Sequence, residues 1–359
     1  MTKFLTKILL LCSCIVFQAK ATQIYSIEDY YAYTNKAELC ITDSKYLEAI
    51  DLYQKAFKTK HNGFSKDHYN AALCAALTGK YYLANLYVKK ILNRGYPIDS
   101  LSTSRSLKSF KQTKYWKSIV REYPTILKRY RDSTNKILAD SLDLLYYRDQ
   151  LYRTKLGKYK LYGDTIRKID IENDRLLRNI IATYGYPNEK IIGSEKSLSP
   201  RKDFDLIIWH QTSLNFIYDY SSLLIKEVNR GNIDPHRAAE LIDNQRSDMS
   251  LYGTELFYRC TCDDGCSEDI NRIIKNKLYY FTISEKRLTT LNQNRKQIHL
   301  ETIEEYRKKV LFNLRDRRFA FFYLAGIPTY SFKTDADLLQ FIGNMKFIDE
   351  DDYNSSSSR

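Results

Sequence analysis

The chain has 359 residues, of which 43% are hydrophobic and 28% are charged, and its formal net charge is +14. Charges of both signs are interspersed along it without a dense basic block, which argues against nucleic acid as a partner. The sequence also has no G-x-S-x-G, H-E-x-x-H, Walker or G-x-G-x-x-G motif. The sequence therefore gives no motif evidence for a serine hydrolase, a zinc protease, a P-loop protein or a Rossmann protein.

The N-terminal residues have the pattern of a secretory signal peptide. Met1–Ala21 begins with lysines, continues with the apolar run Ile8–Phe17 and ends with an A-x-A-like site, Ala19-Lys20-Ala21. The alternative is a lipoprotein anchor at Cys14, but the apolar run continues past that cysteine. We therefore predict an exported protein, periplasmic or extracellular. Its mature chain has no further apolar run long enough to span a membrane.

An internal sequence repeat follows the predicted signal peptide. The segment Asp43–Ala49 is echoed 35 residues later by Thr78–Ala84, and the pattern A-x-L-C at Ala37–Cys40 is echoed 34 residues later at Ala71–Cys74. This spacing resembles the tetratricopeptide repeat, a helix hairpin of about 34 residues. We predict such helical hairpins, closed by an aromatic cap, over residues 22–123.

A bridging helix is predicted next, over residues 124–169. Pro124 is expected to open it, because proline is tolerated in the first turn of a helix. An apolar stripe at helical spacing continues the helix to about Leu156. Asp149 and Arg153 lie near its far end and share one helix face, because they are four residues apart.

Residues 170–345 are predicted to form an α-rich C-terminal domain. One of its helices starts at Asp234-Pro235, with aspartate as the N-cap and proline at the first helical position. Two segments rich in aromatic and β-branched residues, Leu251–Arg259 and Leu278–Ile283, predict a small β-hairpin, and residues 346–359 predict a disordered tail. The predicted fold class is mainly α, with tetratricopeptide-like helical hairpins followed by a helical domain with a small β-hairpin.

Five short phrases occur in order along the second half of the chain: Asp149-Gln150-Leu151-Tyr152-Arg153, Tyr184-Gly185-Tyr186-Pro187, His210, Asp243 and Tyr252-Gly253-Thr254. This series resembles an uncharacterised bacterial domain family, which often follows a signal peptide and helical repeats. Its phrases are D-Q-x-x-R, Y-G-W-P, Q-H, D-R and Q-x-Y-G-T-Q. Trp209 and Asn244 stand where the family has Gln and Arg. The resemblance implies no particular reaction.

The polar positions of these phrases are the candidate site residues. His210, on a predicted helix, could serve as a base or a ligand because imidazole titrates near neutral pH. Asp243 could orient it or accept hydrogen bonds from the following loop. Asp149 and Arg153 could face a substrate or form a simple ion pair. Tyr252 could line a pocket or shape a strand, and His210 itself could be a buried histidine with one hydrogen bond.

Three cysteines, Cys260, Cys262 and Cys266, lie between the two predicted strands. A zinc site would need a fourth ligand and usually shows C-x2-C spacing. An extracytoplasmic location favours a disulfide between Cys262 and Cys266. We therefore predict a disulfide here, with no metal and no cofactor.

Three functions are compatible with these patterns. The first is a repeat scaffold whose concave face holds a peptide or a partner protein, as repeat proteins commonly do. The second is an enzyme, of hydrolytic or other type, with a site built from His210, Asp243, Asp149, Arg153 and Tyr252. The third is a structural component of the cell envelope.

Overall fold

The computed structural model describes residues 26–59, 63–211, 218–246, 251–262, 265–323, 327–343 and 345–349. The predicted signal peptide, residues 1–21, and Cys14 lie outside these stretches. Helices dominate the described part of the chain, and a small sheet lies near its C-terminal end. The prediction of a mainly α fold with a small β part is therefore confirmed. Within these stretches, no helix is both long enough and apolar enough to cross a membrane.

The N-terminal half consists of α1 (Ile27–Thr42), α2 (Tyr46–Phe57), α3 (Ser65–Leu77), α4 (Tyr81–Leu92), α5 (Ile98–Thr103), α6 (Lys108–Lys111), α7 (Lys114–Ser133) and α8 (Lys136–Arg153). The central helices are α9 (Lys158–Tyr184), α10 (Glu189–Ile192), α11 (Asp205–Trp209), α12 (Ser221–Asn229) and α13 (Pro235–Arg246). The C-terminal part consists of β1 (Phe257–Cys262), α14 (Glu268–Ile274), β2 (Lys277–Phe281), α15 (Glu285–Gln297), α16 (Ile303–Arg315), β3 (Thr329–Phe332), α17 (Asp335–Ile342) and β4 (Met345–Asp349).

The first four helices pack as two hairpins, α1 with α2 and α3 with α4. The turns inside the hairpins place Ser44 and Gly79 at positive φ, a conformation that glycine adopts at no steric cost. Ala49 and Ala84, near the starts of the second helices, are fully buried. A small side chain at this position allows the paired helices to approach each other closely. The 35-residue echo thus marks equivalent positions of two hairpins.

The region predicted as one bridging helix contains parts of three helices. Pro124 lies inside α7 rather than at the start of a helix, because Thr113 already caps α7 upstream. The helix break comes instead before α8, where the Asn135 side chain accepts a hydrogen bond from Leu138 N at 3.0 Å. α9 then continues through residues 169 and 170, the predicted domain boundary, without interruption.

The first helices of both hairpins pack against later parts of the chain. α1 contacts α16, and Tyr31 Oη donates a hydrogen bond to the Val228 carbonyl oxygen at 2.9 Å. In α3, the Asn70 side chain accepts a hydrogen bond from Ala320 N at 2.7 Å and donates one to Ala320 O at 3.5 Å. The chain's own residues therefore cover part of the first helices of both hairpins, and a peptide or partner protein on the concave face of the repeats stays a prediction.

The sheet has the strand order β3-β1-β2-β4, so the two predicted strands form its centre. They are antiparallel, and α14 rather than a tight turn connects them. β1 begins at Phe257, later than the predicted start at Leu251. The reason is that Tyr252 N and Thr254 N donate to the Asp243 carboxylate instead of to a neighbouring strand.

The two outer strands were not predicted, and one of them corrects the predicted tail. β3 pairs with β1 in parallel, and β4 pairs with β2 in antiparallel register, with Phe347 opposite Tyr279. Residues 346–349 therefore belong to the sheet, although the sequence predicts a disordered tail from residue 346. They contain only two apolar residues, Phe347 and Ile348, too short a run to identify as a strand before the partner strand is known. Residues 350–359 lie outside the described stretches.

Candidate functional site

Three of the predicted site residues meet where α8, α9 and α11 pack together. Asp149 and Arg153 occupy successive turns of α8, and His210 directly follows α11. His210 Nδ1 lies 2.9 Å from Asp149 Oδ1, and Arg153 Nη1 donates to the same oxygen at 3.2 Å. Asp170 of α9, which was not predicted as a site residue, accepts hydrogen bonds from Arg153 Nη2 at 2.7 and 2.8 Å. We call these four residues the His210 cluster.

The His210 cluster is a buried ion network with one partly exposed member. Asp149, Arg153 and Asp170 are buried, whereas the His210 side chain is 18% exposed. Burial raises the pKa of Asp170, although hydrogen bonds from Arg153 oppose the increase. Burial alone would lower the pKa of Arg153, but its two carboxylate neighbours raise that pKa above its ordinary value. Arg153 therefore stays charged and compensates the buried carboxylates.

The His210 cluster combines an oriented imidazole with a set of possible metal ligands. Asp149 holds Nδ1 of the imidazole, so Nε2 is the nitrogen that can exchange a proton with a bound molecule. Asp149, Asp170 and His210 also provide three ligand atoms within 4.8 Å of one another. Arg153, however, already donates hydrogen bonds to both carboxylates. The geometry therefore favours proton transfer at His210 over metal binding.

Asp243 and Tyr252 belong to a different hydrogen-bond network. The Asp243 carboxylate accepts hydrogen bonds from Tyr252 N at 3.1 Å and from Thr254 Oγ1 at 2.9 Å. Arg295 Nη1 donates to the Tyr252 carbonyl oxygen at 2.9 Å. Burial raises the pKa of Asp243 to about 6. Asp243 therefore holds the turn before β1 and does not orient His210, whose Nδ1 is bound by Asp149.

The cysteine segment contains one close pair of sulfur atoms. Cys262 and Cys266 are within bonding distance, with Cα atoms 5.9 Å apart. Together with Asp335 they also form a second group with the spacing of metal ligands. Cys260 is free and buried, and burial raises its pKa to about 11. Its thiol is therefore protonated at neutral pH and is a poor nucleophile.

A second buried charge network joins the hairpins to the C-terminal part of the chain. Lys309 Nζ lies 2.7 Å from Glu38 Oε2 and 3.7 Å from Glu301 Oε1. Lys66 Nζ lies 3.2 Å from Glu38 Oε1, and His236 Nε2 lies 2.8 Å from Glu301 Oε2. We call these five residues the interior charge network. This network was not predicted from the sequence.

The charges of the interior network stabilise one another despite burial. Burial alone would raise the pKa of Glu38, but Lys309 and Lys66 lower it to about 2. Burial would likewise raise the pKa of Glu301, but His236 and Lys309 hold it well below its ordinary value. Both carboxylates are therefore ionised at neutral pH. The cost of burying them is offset only while their cationic partners are present.

The only sequence signal for this network is a polar residue at an inward helix position. Lys309 lies on α16 between Tyr306 and Val310, which are both buried. A cavity of about 30 Å³ borders the network and is lined in part by Lys66 and His236. This volume suits about one or two water molecules rather than a substrate. We therefore assign the network to stability and not to catalysis.

A cleft of about 590 Å³ lies between α7, α8 and residues 192–204. Leu142 and Phe204 are buried on its wall, and the charged residues Lys136, Asp143 and Lys196 also line it. We call it the α7–α8 cleft. The sequence does not predict this cleft, because residues 193–204 show no periodic pattern that relates them to α8.

The α7–α8 cleft is framed by fixed backbone contacts. Asn135 N donates to the Ile191 carbonyl oxygen at 2.9 Å, and Ser194 N donates to the Arg94 carbonyl oxygen at 2.7 Å. Gly193 has a φ of +79°, and a Cβ at this position would overlap the Tyr130 hydroxyl group. Glycine is therefore required where the segment crosses the tyrosine. These contacts fix the segment around residues 191–194, which forms one wall of the cleft.

Comparison of the chain with models of known protein families, with curated proteins and with solved structures finds no match. The resemblance carried by the five phrases therefore stays a prediction. The structure brings the polar residues of the first and third phrases together, Asp149 and Arg153 with His210. It places those of the fourth and fifth phrases, Asp243 and Tyr252, in contact with each other.

Proposed function

We propose that the protein is an exported binding module that holds a short peptide in the α7–α8 cleft. Export rests on the signal-peptide pattern, and binding rests on one observation, the cleft of about 590 Å³. Ligand pockets typically have volumes of about 300–1,000 Å³, with apolar walls and a few polar groups. The apolar wall at Leu142 and Phe204 suits a side chain of the peptide.

The charged residues around the cleft suit a ligand that carries both signs of charge. Lys196 Nζ lies 2.8 Å from both Asp143 Oδ1 and Asp203 Oδ2, and Lys136 Nζ lies 2.8 Å from Asp140 Oδ1. All five side chains are substantially exposed. Exposed ion pairs contribute only about 0–1 kcal/mol. The amino and carboxyl ends of a short peptide can therefore exchange with these partners at little cost.

We expect Ala139→Trp to weaken peptide binding by about tenfold or more, equivalent to about 1.4 kcal/mol. Ala139 lines the cleft, and an indole at this position would fill part of its volume. The measurement is ligand-observed NMR with the full chain and a library of tetrapeptides with free termini, followed by titration of the peptides that bind.

The matched control is Ile137→Trp, on the same helix. Ile137 is 80% exposed and does not line the cleft, so this variant should bind as the wild type does. Both variants should unfold at the wild-type denaturant concentration. The proposal fails if no tetrapeptide binds, or if Ala139→Trp and Ile137→Trp bind equally well.

A second candidate function is favoured by the hydrogen bond between His210 and Asp149. We propose, as the alternative, a hydrolase in which His210 Nε2 acts as the general base toward water or a substrate hydroxyl. Asp149 would keep the proton on Nδ1 and so fix the required tautomer. Arg153 would offset one of the two buried carboxylate charges, and His210 would offset the other while it holds the proton.

For this alternative, we expect His210→Asn to lower the rate of hydrolysis by about 10²–10⁴, the usual contribution of a general base. The measurement is a panel of chromogenic esters, peptides and glycosides incubated with the full chain. His299→Asn is the matched control, because His299 hydrogen-bonds Asn229 and is separate from the cluster. Equal rates for the two variants, or no hydrolysis by the wild type, would exclude the general-base role on these substrates.

A further inference from the structure

The turn between α8 and α9 exposes several large apolar side chains at once. Residues 154–161 join α8 to α9 and include the first residues of α9, and we call them the 154–161 turn. Within it, Leu156 is 96% exposed, Leu161 is 68% exposed and Tyr159 is 58% exposed. Single exposed apolar residues are ordinary on a protein surface, but a contiguous group more often marks an interaction site. This group therefore indicates an interaction site whose partner accepts apolar side chains.

The same turn is positively charged. Lys155, Lys158 and Lys160 alternate with the exposed apolar residues, and the sequence has no Asp or Glu between Gln150 and Tyr162. None of the three lysines forms an ion pair with an acidic residue of the described stretches. Lys155 Nζ instead lies 4.4 Å from the centre of the Tyr152 ring. Three positive charges are therefore available to a partner.

The 154–161 turn is held in place by the His210 cluster. Arg153 Nε donates a hydrogen bond to Tyr159 Oη at 3.1 Å, while its other nitrogens bind buried carboxylates. Gly157 caps the start of α9 with a φ of +86°. A Cβ on Gly157 would overlap the Leu161 side chain, so the two residues are in close contact. The exposed side chains are thus presented on an ordered turn.

We propose that the 154–161 turn docks the protein onto a membrane surface that contains anionic lipids. Leu156 and Leu161 insert at the boundary between headgroups and acyl chains, and the exposed part of the Tyr159 ring lies at headgroup level. The lysines attract the anionic headgroups, at about 1 kcal/mol or roughly fivefold in affinity for each charge. A nucleic acid would use the lysines but would not favour the exposed leucines.

The test is sedimentation of the full chain with vesicles of phosphatidylcholine alone and of phosphatidylcholine mixed with phosphatidylglycerol. We expect binding to the mixed vesicles, weaker binding to the neutral ones, and a loss of affinity as salt rises from about 0.1 M to about 0.5 M because the charges are screened. The triple variant Lys155→Gln, Lys158→Gln, Lys160→Gln should bind the mixed vesicles about a hundredfold more weakly. Leu156→Gln should weaken binding at both salt concentrations.

The control triple variant is Lys108→Gln, Lys117→Gln, Lys128→Gln, which removes the same charge from exposed positions elsewhere. It should bind nearly as the wild type does, and all variants should keep the wild-type unfolding midpoint. The proposal is overturned if the wild type does not bind the mixed vesicles, or if both triple variants lose affinity equally. It is also overturned if Leu156→Gln has no effect, and binding of a DNA duplex by the wild type would then assign the lysines to nucleic acid.

Discussion

Replacing Lys309 by methionine should lower the free energy of unfolding by about 3–5 kcal/mol, the usual cost of removing one partner from a buried ion pair. The Lys309 side chain is 1% exposed, and its Nζ contacts Glu38 at 2.7 Å and Glu301 at 3.7 Å. Methionine keeps most of the volume but leaves both carboxylates with less compensating charge. Denaturant unfolding of the full chain, followed by circular dichroism, measures the change.

The neighbouring lysine provides the control. Lys308 pairs with Asp43 at 2.7 Å on the surface, where both side chains are more than 40% exposed. Lys308→Met should therefore change the free energy of unfolding by less than about 1 kcal/mol. Equal losses in the two variants would show that Lys309 is not more important than a surface lysine. Adding Glu38→Gln to Lys309→Met should recover part of the loss.

The stability difference between the wild type and Lys309→Met should narrow in acid. Among the groups that lower the pKa of Glu38 against the effect of burial, Lys309 contributes most. Together they lower that pKa from an ordinary value of 4.5 to about 2. A lowered folded-state pKa gives stability that is present above pH 4.5 and is lost as the pH falls toward 2. The variant lacks much of this contribution at neutral pH and so has less of it to lose.

Replacing Arg153 by methionine should also lower the free energy of unfolding by about 3–5 kcal/mol. Arg153 is the positive charge that lies between Asp149 and Asp170, both of which are buried. Without it, the pKa of Asp170 should rise further, because burial already raises that pKa and the opposing hydrogen bonds are lost. Chemical unfolding measures the stability, and carboxyl NMR titration measures the pKa.

Arg148 is the matched control for Arg153 on the same helix. Its ion pair with Glu172 is partly exposed, so Arg148→Met should change the stability by less than about 1 kcal/mol. In the Arg153→Met background, Asp170→Asn should restore part of the lost stability, because it removes the carboxylate charge that has lost both of its hydrogen bonds from Arg153. If it does not, the loss arises from packing rather than from charge.

Local patterns predicted the elements whose signals lie within a few residues. Ala49 and Ala84 recur at hairpin spacing and are both buried in the paired helices. Asp234-Pro235 predicted the start of α13, and Asp234 Oδ1 accepts a hydrogen bond from His236 N at 3.0 Å. Pro124 misled the prediction, because the same residue can open a helix or be tolerated within one whose other contacts hold it together.

The candidate site was only partly predictable, because its residues come from segments that are distant in sequence. Asp149 and Arg153 were found because they share a helix face, and His210 because it occupies one of the ordered phrases. Asp170 was missed because it meets Arg153 only after α8 and α9 have folded against each other. No periodicity within a segment reports such a pairing. The pairing of Glu38 with Lys309 was even harder to predict, because it joins residues near opposite ends of the chain.

This last pairing has a consequence for how the protein is made. Glu38 and Lys309 are separated by 271 residues in sequence, so the hairpins emerge during synthesis long before the segment that covers them. Contacts between distant parts of a chain form slowly, since a large loop must close before they contribute. In the meantime, the early helices expose apolar surface that favours aggregation. The nascent N-terminal half should therefore depend on a chaperone until the C-terminal third has been completed.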